Sequence, residues 1–166
     1  MYRTIEDFIY DWRTESQSTL KVLTALTDES LGQKTYAEGR SLGFLAWHLV
    51  LTLGEMGGKM GFQVNAPAEN TPPPKKASDI FTAYETASES VTKLVKSQWK
   101  DAMLDEEIEL YGEKWKRGYA LAALIKHEIH HRAQMTVLMR QAGLKVPGVY
   151  GPSREEWSQL GMQPME

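Results

Sequence analysis

Apolar residues recur at three- and four-residue steps through four stretches of about 20 residues each, the period of an amphipathic helix. Alternation at two-residue steps is confined to one short segment, Glu107 to Tyr111. That pattern predicts an all-α four-helix bundle for this 166-residue chain. The first stretch, about Thr4 to Leu26, places Ile5, Phe8, Ile9, Trp12, Thr19, Leu23 and Leu26 on one side. Asp11, Arg13, Glu15 and Lys21 fall on its other faces.

Ser41 reads as the N-cap of a second helix, about Ser41 to Phe62. Phe44, Leu45, His48, Leu51, Thr52, Glu55 and Met56 share one of its sides. Gly54, Gly57, Gly58 and Gly61 cluster on another. Each helix-interior glycine costs roughly 1 kcal/mol relative to alanine, so the cluster marks a frayed end or a face approached closely by another backbone. The third helix, capped by Ser78, carries Ile80, Phe81, Tyr84, Ala87, Val91, Leu94 and Val95 and ends near Trp99. The fourth runs from about Arg117 to Gln141-Ala142, with Gly143 in the usual stop position.

The connections differ in character. Thr27 to Gly39 reads as a link with a short helical turn, and Gln63 to Ala77, with Pro67, Pro72, Pro73 and Pro74, as a loop. Asp101 to Trp115 reads as an extended crossover with a minor hairpin. The long links before the third and fourth helices permit crossover connections rather than a simple up-down-up-down order. A single domain over residues 1–166 follows, with a bundle core at about 4–143, a tail at 144–166 and a short helix around Ser153 to Leu160.

Composition narrows the function. Net charge −3 and a pI near 5.9 provide no electrostatic footprint for nucleic acid. No cysteine is present, so a disulfide, a thiol nucleophile and a Cys-based zinc site are excluded, and any metal must be held by His or carboxylate. The N-terminus lacks the apolar core of a signal peptide, and no window approaches the ~18 apolar residues of a membrane span. A cytoplasmic protein without a membrane partner is the expectation.

The fourth helix contains His127-Glu128-Ile129-His130-His131. At 100° per residue, with His127 at zero, His131 lies at about 40°, Ala120 and Leu138 at about 20°, Leu124 at about 60° and Met135 at about 80°. By this count both histidines sit within the apolar stripe, His130 at its edge and Glu128 about 100° round, off the stripe. Each core-facing imidazole would otherwise need its own hydrogen-bond partner. With His48 on the inward side of the second helix, a shared metal site is the most economical account. Three imidazoles suit Zn²⁺, Ni²⁺, Fe²⁺ or Cu²⁺ and leave positions open for water or substrate.

A rival reading takes the same words as the H-E-x-x-H pattern of zinc proteases, with Glu128 as general base and Glu155 or Glu156 as third ligand. Against it stand the absence of a sheet edge to align a peptide, the charged neighbourhood of His130 and Arg132, and a His48 left without a role.

The words Arg40-Ser41-Leu42-Gly43-Phe44-Leu45-Ala46-Trp47-His48-Leu49 and His127-Glu128-Ile129-His130-His131-Arg132-Ala133-Gln134 resemble the DinB/YfiT-like family. The tail Ala142 to Pro147, then Tyr150-Gly151-Pro152, is similar as well, so the resemblance spans roughly residues 4 to 152. It implies a four-helix bundle with a mononuclear site at His48, His127 and His131, usually holding Ni or Zn. Ala133 stands where the family often has Gly in its His-His-Arg-Gly-Gln word. Characterised relatives include transferases and isomerases that use low-molecular-weight thiols such as bacillithiol or mycothiol.

The resulting expectation is a metal-dependent enzyme acting on a small molecule, a thiol S-transferase or a hydrolase. Glu55, seven residues after His48, is the candidate acid/base group. Gln134, seven after His127, is a ligand-orienting or substrate-contacting group, and Tyr150 in the tail is placed to close over the opening. The alternative is a non-catalytic metal-binding stress or interaction protein. Ala122, Ile125, Ile129 and Ala133 form a second apolar stripe that needs cover, for which a homodimer is the expectation.

Overall fold

Four helices carry the computed structural model: α1 (Ile5–Thr24), α2 (Leu42–Lys59), α3 (Ala77–Gln98) and α4 (Arg117–Gln141). Residues 2–164 are described; Met1, Met165 and Glu166, at the ends of the expected 1–166 domain, lie outside the described residues. Thr4 caps α1 by accepting from the Asp7 N–H at 3.1 Å, and Ser41 caps α2 by accepting from the Phe44 N–H at 3.1 Å. Ser78 does not cap α3, which begins one residue before it. There the Ala77 N–H donates to the Asp28 carboxylate at 2.8 Å, a cap delivered from 49 residues away. Sequence proximity could not reveal it.

In the bundle α1 packs on α3 and α4, and α2 packs on the same two helices. So α1 faces α2 across one diagonal and α3 faces α4 across the other. The 25–41 and 99–116 connections therefore cross diagonals, whereas the proline-containing link before α3 joins neighbours. Length marked the 99–116 crossover correctly, marked the link before α3 wrongly and missed the crossover at 25–41. The core between the four helices holds Phe8, Trp12, Leu49, Leu53, Ile80, Tyr84, Leu121 and Leu124, all fully buried. No described helix is long and apolar enough to cross a membrane.

The 99–116 connection contains a 3-10 turn at Asp101–Asp105 and an antiparallel hairpin, β1 (Glu107–Leu110) and β2 (Glu113–Lys116). Tyr111 and Gly112 form its two-residue turn at φ 53° and 80°, the paired positive values that a type I′ turn requires. The tail carries one 3-10 turn, Trp157–Leu160, rather than a helix from Ser153.

The glycines of α2 and its C-terminal end resolve into three cases. Gly61, at φ 90°, ends the helix: the Phe62 N–H donates to the Gly57 carbonyl at 2.8 Å and the Gly61 N–H to that of Gly58 at 3.0 Å, a Schellman motif. Gly54 and Gly57 instead admit the following loop, since a Cβ on Gly57 would lie 2.3 Å from the Val64 side chain and one on Gly54 3.0 Å from Ala66. Gly58 has open space around it. Alanine there should stabilise by up to about 1 kcal/mol through helix propensity. Gly57→Ala should instead destabilise by about 1–2 kcal/mol through overpacking. Urea unfolding of the pair separates the two effects, and equal shifts would show that the loop contact carries no weight.

Candidate metal centre

α2 and α4 run side by side and bring His48, His127 and His131 together: one nitrogen from each ring lies within 4.8 Å of the others. The closest approach, His48 Nε2 to His127 Nε2, is 3.2 Å. Nitrogens about 2.1 Å from a tetrahedral zinc lie about 3.4 Å apart, so the trio needs little movement to share an ion. His131 is buried at 6% exposure, while His48 and His127 are half-buried. The cluster thus opens towards solvent.

Burial pushes all three imidazoles below the usual histidine range, His127 to about 4; neighbouring histidine charges and Arg40 push the same way, and at His131 the Gln134 hydrogen bond partly offsets them. Neutral rings with free lone pairs are the form a metal requires. Gln134 fixes the orientation of one of them. Its Oε1 accepts from His131 Nδ1 at 2.8 Å, which leaves His131 Nε2 for an ion, and its Nε2 donates to His130 at 3.1 Å. His130 is therefore no ligand but a brace for the group that orients one, a role that its spacing of four from Gln134 could have suggested. Such orienting contacts are typically worth 10–100-fold in metal affinity. Gln134→Ala should weaken metal binding by about that factor without unfolding the protein, checked by competition with a chromophoric chelator.

The structure corrects the placement of Glu128. The buried residues of α4 run from about 20° at Ala120 and Leu138 to about 180° at Gly118, taking His127 as zero. Glu128, at about 100°, is the centre of that arc, and the histidines lie at its edge. At 1% exposure Glu128 is a core residue. Its Oε1 accepts from Thr19 of α1 at 2.6 Å and from the Tyr84 hydroxyl of α3. Burial raises both carboxyl and phenol above their usual ranges. A carboxyl tied between α1 and α3 does not face the imidazole cluster, so the geometry removes the base that the protease reading needs.

The other expected site residues separate. Gln134 touches the cluster. Glu55 lies about 10 Å along the α2 axis from His48, where its carboxylate accepts from the Tyr111 hydroxyl at 3.3 Å. The Tyr150 hydroxyl donates to Glu15 at 2.7 Å and accepts from Arg132 at 2.7 Å. Arg132 projects about 100° round α4 from His131. Tyr150 thus latches the tail across α1 and α4 rather than covering the imidazoles. The Arg132–Glu15 ion pair beneath it is buried on both sides, a second core feature that the periodicity concealed.

Four helices with three clustered imidazoles on the seam between two of them define a helical-bundle protein that could hold a metal ion. The chain belongs to the DinB family, whose profile matches residues 1–165. It is 43% identical over 163 residues to the uncharacterized protein YrdA of Bacillus subtilis, covering 98% of both chains. A DinB-like protein from Bacillus cereus, known from its crystal structure, is 39% identical and superimposes with a TM-score of 0.87 over 90% of this chain and 100% of its own. The DinB-like protein YjoA of Bacillus subtilis shares the fold at 19% identity, with a TM-score of 0.69 over 86% of this chain and 96% of its own.

Proposed function

We propose that this protein is a metal-dependent enzyme acting on a small molecule, a thiol S-transferase or a hydrolase. His48, His127 and His131 would hold one divalent ion, Ni or Zn. The observation that carries the reading is the trio itself: three imidazoles from two helices, neutral at pH 7, half-open to solvent and within 4.8 Å of one another. A three-imidazole ion would supply Lewis acidity that brings a bound water or thiol to its anionic form near neutral pH.

The chain's own residues supply the rest. Gln134 holds the His131 ring in the tautomer that presents Nε2 outward. His48 is held by Phe44, whose ring stacks on it at 6.1 Å between centroids. Glu55 stands too far along α2 to serve as a partner of the imidazoles, and Tyr150 is engaged elsewhere.

A cytoplasmic homodimer completes the proposal. Ile125 of the second α4 stripe is buried within the chain, which leaves Ala133 and the neighbouring Val137 as its exposed part. Light scattering at low concentration tests the dimer, and a clean monomer defeats it.

The test of function is metal analysis of the purified protein, followed by a screen of the loaded and stripped forms with electrophiles plus low-molecular-weight thiols, and with esters. Turnover that disappears on stripping and returns with Zn²⁺ or Ni²⁺ is the expected result. Bound metal without metal-dependent turnover would instead assign the chain as a non-catalytic metal-binding protein.

A further inference from the structure

A cavity of about 580 Å³ lies between the 33–41 connection and the C-terminal half of α4, within the range of small-molecule sites. Leu45, Val137 and Leu138 form its apolar wall, and Tyr36, Arg40 and Gln134 bring polar groups to it. Gln134 is the residue that binds His131, so the cavity and the imidazole cluster share a wall.

The connection carrying Arg40 is itself held in place. The Leu42 N–H donates to the Gln33 carbonyl at 2.8 Å and closes the segment, and the Gly39 N–H donates to that of Tyr36 at 3.0 Å. The Tyr36 ring packs where a Cβ on Gly39 would lie, 3.1 Å away. The Arg40 guanidinium sits 5.2 Å above the Phe44 ring, which in turn stacks on His48. Among the described residues Arg40 makes no ion pair. Glu38 also lines the cavity, and Arg40 is the residue of this connection that is joined to the imidazole cluster, through the Phe44 ring.

We propose that this cavity seats the substrate and that Arg40 binds a carboxylate on it, beside the imidazole cluster. A guanidinium fork pairs with a carboxylate through two parallel hydrogen bonds, and its stacking on Phe44 limits the freedom lost on binding. The apolar wall takes the rest of a ligand whose charged end is so placed. As an account of substrate class, the assignment rests on the function proposed above.

The test is metal-independent so that the two can fail separately. Metal-free ¹⁵N-labelled protein is titrated with 3-phenylpropionate and with 3-phenylpropanol, followed by NMR. The acid should bind at least about tenfold more tightly than the alcohol, with shifts at Arg40, Gln134 and Leu138. Arg40→Ala should erase the difference and Arg40→Lys keep part of it, both with unchanged metal content. Equal binding of acid and alcohol, or shifts confined to another face, overturns the assignment. Wild-type protein that takes up no metal yet prefers the acid defeats the proposed function and leaves the anion site standing.

Discussion

His131→Ala is expected to abolish metal binding and to leave the bundle folded. His131 is the buried member of the trio and the one whose ring is fixed by a side-chain partner, so it contributes the best-oriented of the three nitrogens. Orienting contacts alone are worth about 10–100-fold in metal affinity, and loss of a ligand atom should cost at least about 100-fold. After dialysis the metal content should fall from about one ion per chain, the ratio for a mononuclear three-imidazole site, to near zero.

A second readout needs no metal analysis. An ion that binds only the folded state stabilises it by about 2.7 kcal/mol at a concentration 100 times its dissociation constant. Wild type should therefore melt higher as Zn²⁺ or Ni²⁺ is added, and His131→Ala should not respond. His48→Ala should behave alike, although it removes a ligand 83 residues away in the sequence. Full metal retention in either variant would sink the three-imidazole site.

The sequence made these three residues legible because helical geometry acts over short spacing. Two histidines four apart share a face of any helix, and a third at an inward-facing position of another helix completes a set that few folds could keep apart. The caps Ser41 and Gly143 were readable for the same reason, being local. What escaped the sequence is non-local. The Asp28 cap on α3 and the Arg132–Tyr150 latch join residues 49 and 18 apart in the chain. Arg40 became notable only once the 33–41 connection folded back beside α4.

Glu128 shows why a helical wheel misleads. A helix touching one neighbour buries a narrow stripe, and the stripe containing Leu124, Met135 and Leu138 fits that picture. α4 touches both α1 and α2, so its buried arc spans about 160° and includes charged positions. Glu128 and Arg132 break the apolar pattern at the arc's centre and make the innermost face look polar. Their compensation lies on α1 and α3, at Glu15, Thr19 and Tyr84, where no α4 periodicity could point.

Glu128→Ala is accordingly expected to be strongly destabilising and neutral at the metal centre. It removes the acceptor shared by Thr19 and Tyr84, leaving two buried hydroxyls to find new partners, and an unsatisfied buried polar group costs about 1–3 kcal/mol. It also opens a cavity where three helices meet. Together the unsatisfied hydroxyls and the cavity should cost about 3–5 kcal/mol. Arg132 weakens with it, because its guanidinium donates at 3.2 Å to the Thr19 hydroxyl that Glu128 holds. Glu128→Gln keeps an acceptor for both hydroxyls at nearly the same volume, and its loss should be about 1 kcal/mol. Urea unfolding of the metal-free proteins measures both changes, and metal content of the folded fraction gives the contrast with His131→Ala. If Glu128→Ala unfolds at wild-type urea concentrations, the three-helix polar tie is no source of stability. If Glu128→Gln keeps wild-type stability and metal but abolishes turnover, the carboxylate has catalytic work that its burial between α1 and α3 does not account for.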